Sequence, residues 1–310
     1  RKATAARDPL HARCLVLDDG KTKLALVVVD SCMIPRELLD AAKALAEKKT
    51  GIPAANVMIS ATHTHTAPSV AGVFQSDPDA AYAAFLTEKI AAGIEKAHAN
   101  LVPAKAAWAV GHEPNHVFNR RWKLKDGVPN PDPFGGTSDR VRMNPPRQSP
   151  DLVEPAGPTD PGVTVLALRT ADDKPLALFA NYSLHYVGDV PPLSADYFGA
   201  FAEVVAQKLK AGGDFVGILS NGTSGDVNNI NFKEAAPKLQ PGERSRLVAE
   251  AVADATLKAL EKAEYRADVS LRTAGTVIEL PVRKPTAEEV KRAEGILDKA
   301  KGRELKGAEE

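Results

Sequence analysis

The chain has 310 residues, 44% of them hydrophobic and 26% charged, enough for one large α/β domain or two ordinary ones. Its 40 basic and 40 acidic side chains cancel, so no global field draws it to nucleic acid or to an anionic bilayer. No run of about 18 apolar residues is present to span a membrane. Two cysteines, Cys14 and Cys32, are too few for a disulfide framework. They flank the turn Asp18-Asp19-Gly20-Lys21 out of register for a bridge, and read as buried free thiols.

In chain order, Arg13 to Leu17 and Leu24 to Asp30 flank Asp19-Gly20 and predict a β-hairpin. Pro35 opens a helix at its first turn, with Leu38, Leu39, Ala42, Leu45 and Ala46 as its apolar stripe up to Gly51. A strand at Val57 to Ala61, a helix at Asp79 to Asn100 and a strand at Ala104 to Val110 follow. From about Glu113 to Pro161 neither a period of 2 nor one of 3.6 survives, which marks a long irregular loop of the functional kind. Val163 to Arg169 and Pro175 to Tyr182 read as a second hairpin around Asp172-Asp173-Lys174. Next come a helix from about Ala195 to Ala211, a short buried strand from Phe215 to Ser220 and the polar loop SNGTSGDVNNIN. A helix from Pro241 to Ala263, an alternating strand region from Val269 to Val282 and a helical stretch within 284–310 end the series. The fold class expected is α/β, a mixed central sheet flanked by helices with a long irregular active-site loop near 113–161. Both termini look cut, and any targeting peptide lies outside the sequence.

Seven histidines are present, and His63 and His65 lie one residue apart in ISATHTHTAP, just past an apolar strand. Side chains at i and i+2 share a face of an extended chain, so the two imidazoles can meet one reagent, and imidazole is a common zinc ligand. The alternative is a capped strand end with solvated rings. His185, in FANYSLHYVGD, follows another apolar strand, and ligands of open α/β sheets bind beyond the carboxyl ends of strands. A buried structural histidine is the competing reading. The loop after Ser220 offers Asn221, Thr223, Ser224, Asp226, Asn228, Asn229 and Asn231, with Gly222 and Gly225 to allow close approach or positive φ. It has neither the lysine nor the spacing of a phosphate loop, and a plain polar turn is its bland reading. Arg120 and Arg121, in HVFNRRW, are an oxyanion or carboxylate clamp or else solvated surface. His112 and His116 have metal-like spacing outside any predicted helix, and His11 and His98 read as structural or exposed.

Taken in order, DPLHARCLVLDDG, ISATHTHTAP, VFNRR, NYSLHYVGD and SNGTSGDVNN resemble the N-terminal catalytic domain of the neutral/alkaline, non-lysosomal ceramidase family, from near Arg7 to about Ala263. The resemblance implies a zinc amidase cutting an N-acyl bond, with His63 and His185 as zinc ligands. It makes His65 the neighbouring histidine that assists the reaction and Arg120 a substrate-side arginine, and it places Asp226 and Asn228 on the substrate-binding loop. Zinc would polarise the scissile carbonyl and acidify a bound water. The family's other ligands, a glutamate and a tyrosine, come from further along the chain and are expected outside these residues. Residues 1–283 then form the catalytic domain, incomplete at its start, and 284–310 a truncated helical segment leading into a C-terminal part. A small-molecule or lipid-like substrate, no nucleic acid, room for peripheral membrane contact and a secreted or periplasmic location complete the expectation. One departure stands out: the family's Gly-Asp-Val-Ser-Pro-Asn is Gly225-Asp226-Val227-Asn228-Asn229-Ile230 here. An amide at Asn228 cannot act as the serine hydroxyl does, so the alternative is an inactive ceramidase-like protein that binds a lipid or carbohydrate.

Overall fold

The computed structural model describes residues 3–73, 76–132, 134, 136–190, 192–301 and 303. The first hairpin forms as its pattern predicts: β1 (Ala12–Asp18) and β2 (Lys23–Val29) run antiparallel, Leu15 opposite Leu26. Asp18 and Asp19 accept backbone N–H groups of the turn and Gly20 takes φ 82°, which is why Asp and Gly occupy it. Helix α1 (Arg36–Thr50) starts one residue after Pro35, which stands at its N-cap, and ends at Gly51 in the left-handed conformation. Strand β3 (Val57–Ala61) adds parallel to β2, giving a mixed sheet in the order β1-β2-β3. Helix α2 (Ala80–Ala99), capped by the Asp79 side chain, packs with α1 on that sheet.

Strand β4 (Ala104–His112) opens a second sheet. The stretch from Glu113 to Pro161, expected to be irregular, instead contains β5 (Phe118–Asn119), β6 (Arg121–Leu124), β7 (Val141–Met143) and β8 (Leu152–Pro155). The last three pair antiparallel in the order β7-β6-β8. Strands of two to four residues are too short for an alternation of side chains to register.

Strands β9 (Gly162–Thr170) and β10 (Pro175–Tyr182) form the second hairpin. They are followed by α3 (Asp196–Lys208), β11 (Val216–Asn221), β12 (Val227–Asn228), α4 (Glu243–Leu260) and α5 (Ala287–Lys299). The sheet order is β11-β10-β9-β4, with β10 and β11 parallel, while β12 pairs with β5. The α/β class expected from the alternation of elements therefore holds, with the sheet divided into two mixed sheets stacked face to face.

Three apolar layers hold this stack. Ile52, Ile59, Ile90 and Ile94 fill the space between α1, α2 and the first sheet. Leu15 and Val28 meet Leu168, Ala177 and Ile218 between the sheets. Tyr182, Phe198, Phe201 and Leu219 join the second sheet to α3 and α4. Where the sheets diverge, beside β1, β4 and β11, a cleft of about 1390 Å³ opens, and none of His63, His65 and His185 lines it.

The expected strand region from Val269 to Val282 does not form. Among the described residues it is tethered at its start alone, by the bridge of Arg266 to Ala106 just before it, by the packing of Val269 against the core between the sheets and by a bond from the Leu271 N–H to Asp19 Oδ2. Val277, Ile278, Leu280 and Val282 are 69 to 85% exposed. Alternation prescribes side-chain faces, but a strand also needs an edge to bond, and among the described residues this stretch pairs with none. The final helix does form, closed by a Thr286/Glu289 capping box, and residues 302 and 304–310 of the expected helical segment lie outside the described residues. Both cysteines are free but only partly buried, and burial pushes the Cys14 thiol up to about 12.

Candidate functional site

Two parallel strand pairs, β2/β3 in the first sheet and β10/β11 in the second, send their carboxyl ends to the same corner of the molecule. Such exits are where α/β sheets bind ligands. Immediately after β3 the chain turns: Thr62 N–H donates to Val29 O and His63 N–H to Ser31 O, both at 2.9 Å, so the turn is welded to the exit of β2. His63 takes a left-handed φ of 63°, a conformation that among residues other than Gly is enriched for Asn, Asp and His. The convergence of His63 and His65 therefore comes from this turn, and the expected alternation of faces along an extended strand is corrected. Their Nε2 atoms stand 3.3 Å apart.

The threonines between and beside them explain why the turn persists. Thr62 and Thr64 are buried, and the hydroxyls of Thr64 and Thr66 both donate to Ser194 O, at 2.9 and 3.0 Å. Ser194 is held in turn by Asp8, which accepts from its hydroxyl and from Ala195 N–H at 2.6 Å each. A loop carrying two exposed or half-exposed imidazoles is thus fixed from below by buried hydroxyls at the entrance to α3.

His185 arrives from β10 and is buried, its ring centroid 4.6 Å from that of His63 and 6.1 Å from that of His65. Its Nδ1 lies 2.9 Å from Ser224 O, and His63 Nδ1 lies 2.7 Å from Cys32 O. With Nδ1–H donating to a backbone carbonyl, each ring keeps Nε2 unprotonated and aimed, the arrangement by which proteins prepare histidine for a metal. The Ser224 carbonyl is available because Gly222 lets its loop close on β10: a Cβ there would stand 2.4 Å from Ser183 Oγ. Neither Gly222 nor Gly225 has positive φ, so close packing, and not backbone freedom, is the reason for glycine at 222.

Electrostatics favour neutral rings at His65 and His185. Burial, then the neighbouring His63, His185 and Arg120, lowers His65 to about 4. Burial likewise lowers His185, with the Ser224 carbonyl opposing and Arg120 assisting. Neutral imidazoles are the form that binds metal. Two imidazole nitrogens on one tetrahedral zinc stand about 3.3 Å apart, the separation of His63 Nε2 and His65 Nε2, so the imidazoles fit the ion in chemistry and that pair fits it in spacing.

Cys32, which the sequence marks only as a free thiol, sits here: Cys32, His63 and His65 bring ligand atoms within 4.8 Å of one another. Its Sγ is 3.7 Å from His63 Nδ1, the nitrogen already engaged by the Cys32 carbonyl. The thiol therefore backs the orienting side of the ring, away from Nε2. Tyr186, also unforeseen, stacks on His65 with centroids 3.7 Å apart and planes 16° from parallel. Nothing in a sequence pattern separates such a tyrosine from a core one.

Arg120 lies at the end of β5, its guanidinium donating to Gly225 O while its buried Nε has no partner among the described residues. Asp226 accepts from Asn119 Nδ2 at 3.0 Å. Asn228 is buried, with Nδ2 3.1 Å from Asn144 Oδ1 and Oδ1 accepting from Ile230 N–H. Asn144, from the 113–161 stretch, has φ 49°. His112 and His116 do not join the cluster: His116 pairs with Glu113 at 3.1 Å. His11 lies beside Arg13 and His98 beside Lys23.

Stacked mixed sheets with histidines gathered at the carboxyl ends of two parallel strand pairs define an α/β protein with a histidine cluster at one corner. That fold is the one found in ceramidases. Neutral ceramidase from Pseudomonas aeruginosa matches with a TM-score of 0.59 at 18% identity, over 78% of this chain and 37% of its own. A ceramidase complexed with C2 matches with a TM-score of 0.62 at 18% identity, over 80% of this chain and 38% of its own. The chain thus spans less than two fifths of the length of either structure. No family model matches the sequence.

Proposed function

We propose that this chain is the histidine-bearing part of a zinc-dependent hydrolase, ceramidase-like in chemistry as in fold, acting on an amide (N-acyl) or related bond of a small or lipid-like substrate. The observation that carries the reading is the pair His63 and His185, each with Nδ1 on a backbone carbonyl, 4.6 Å apart by ring centroid. These two residues would hold the metal, the remaining ligands coming from outside residues 1–310. Zinc in that position supplies a Lewis acid for the scissile carbonyl and lowers the pKa of water toward neutrality.

The chain's own side chains divide the rest of the work. His65 is neutral near pH 7 and exchanges a proton at its ring nitrogen with the reacting groups, the role general acid–base catalysis requires. Arg120, held by its bond to Gly225 O, offers its guanidinium to an oxygen of the substrate, and a charged donor in a partly desolvated position counts for more than one in water. Asp226 and Asn228, tied to Asn119 and Asn144, shape the substrate side of the corner. Residues 1–283 act as the catalytic unit in this reading, at a secreted or periplasmic location, and no helix among the described residues is long and apolar enough to cross a membrane.

A second reading rests on Asn228, whose amide is bonded at both ends where the ceramidase family has a serine: a pocket that binds a lipid or carbohydrate without turnover. Zinc-loaded protein incubated with a fluorogenic N-acyl amide separates the two. Hydrolysis that stops on adding a chelator and is lost in His185→Ala is the expected result. Retention of the amide with no turnover at any zinc concentration supports the binding reading instead.

A further inference from the structure

We propose that Tyr186 is a positioning residue for His65, an inference that rests on the reading of His65 as the reacting histidine. His65 is the most open of the three site histidines, and its neighbours Thr64 and Thr66 anchor the backbone but do not reach its ring. The contact that fixes the plane of the ring is the Tyr186 stack, at 3.7 Å and 16°. The edge-on approach of His63 at 4.9 Å supplies the second constraint, so the imidazole sits in a corner of two aromatic faces with its Nε2 toward His63 Nε2.

The surrounding chain is arranged to keep Tyr186 in place. Gly188 has φ 82°, and a Cβ there would stand 2.7 Å from Tyr186 Cε2. Any other residue would therefore push the ring off its position. Asp196, itself buried at φ 56° at the start of α3, accepts from Val187 N–H at 3.1 Å and Gly188 N–H at 2.8 Å. On the far side Asp189 accepts from Arg244 N–H at 2.9 Å and from the Ser245 hydroxyl, at the start of α4. The five residues from His185 to Asp189 are thus hung between two helix N-termini, with the metal-competent ring at one end and the stacking ring beside it. The Tyr186 hydroxyl has no hydrogen-bond partner among the described residues, so the ring face does the positioning and phenylalanine is the conservative replacement.

The test uses zinc-loaded protein with three variants, Tyr186→Phe, Tyr186→Leu and Gly188→Ala, followed by imidazole proton NMR of His65 (assigned by its loss in His65→Gln) and by kinetics on an N-acyl reporter. Tyr186→Leu is expected to remove the ring-current shift of the His65 protons and lower kcat about tenfold with KM within about twofold. Gly188→Ala, which displaces the ring without deleting it, is expected to reproduce both effects, and Tyr186→Phe to restore both. His65 signals unchanged in Tyr186→Leu, a rise in KM with kcat constant, or a Tyr186→Phe loss as large as that of Tyr186→Leu would each overturn the inference. If wild-type protein shows no turnover, the hydrolase reading fails by itself and the NMR comparison decides the positioning of His65.

Discussion

The strand exits that carry the histidines and the stretch from Val269 to Val282 looked equally regular in sequence, and they ended in opposite states. At the exits, the groups that set the histidines are bonded: Thr64 and Thr66 to Ser194 O, His63 to Cys32 O, His185 to Ser224 O. In the other stretch an alternation of Val277, Ile278, Leu280 and Val282 with smaller or polar residues leaves apolar side chains 69 to 85% exposed. The difference shows that a pattern of side chains becomes structure only when neighbouring backbone or buried hydroxyls take up its hydrogen bonds.

If that comparison is right, substitutions of similar size should cost unequal amounts at the two places. The largest effect belongs to Gly222→Ala, whose single methyl meets Ser183 Oγ at 2.4 Å and Asn181 Oδ1 at 2.9 Å. Overpacking of this kind destabilises by about 1–3 kcal/mol. Because the same loop presents Ser224 O to His185, zinc affinity should also fall by about tenfold or more. Chemical denaturation and metal titration of the variant check both, and a variant that binds zinc as wild type does would break the link between the loop and the ring. The smallest effect belongs to Ile278→Ala, which removes more atoms yet, at an exposed position, should stay within about 0.5 kcal/mol. A loss of 2–5 kcal/mol, the range for a buried isoleucine, would mean that the stretch is covered in solution and the contrast is false.

Much of the fold was legible because its long elements carry strong periods. The two hairpins, α1, α2 and the strand Val57–Ala61 fall where turn residues, caps and apolar stripes place them. The division into two sheets was not legible, since nothing local in β1 to β3 or in β4, β9, β10 and β11 says which sheet a strand joins. The small sheet of β6, β7 and β8 was missed because its strands are no longer than four residues.

For the site, the three histidines were legible as residues following apolar strands. The means of their convergence was not. The left-handed φ of His63, the carbonyls of Cys32 and Ser224 and the stack of Tyr186 are contacts between segments 31, 39 and 121 residues apart. No window along the chain contains such pairs. Asn228 is the converse case: its difference from the ceramidase serine is visible in sequence, while its bond to Asn144 appears only in the fold.

The proposed zinc site requires that His63 and His185 present their Nε2 atoms to a single ion. Zinc titration of chelator-stripped protein, wild type beside the double variant His63→Ala/His185→Ala, tests it most directly. The prediction is one zinc per chain in the wild type, and an affinity lowered by more than about 100-fold in the double variant. Equal stoichiometry and affinity in the two proteins would contradict it.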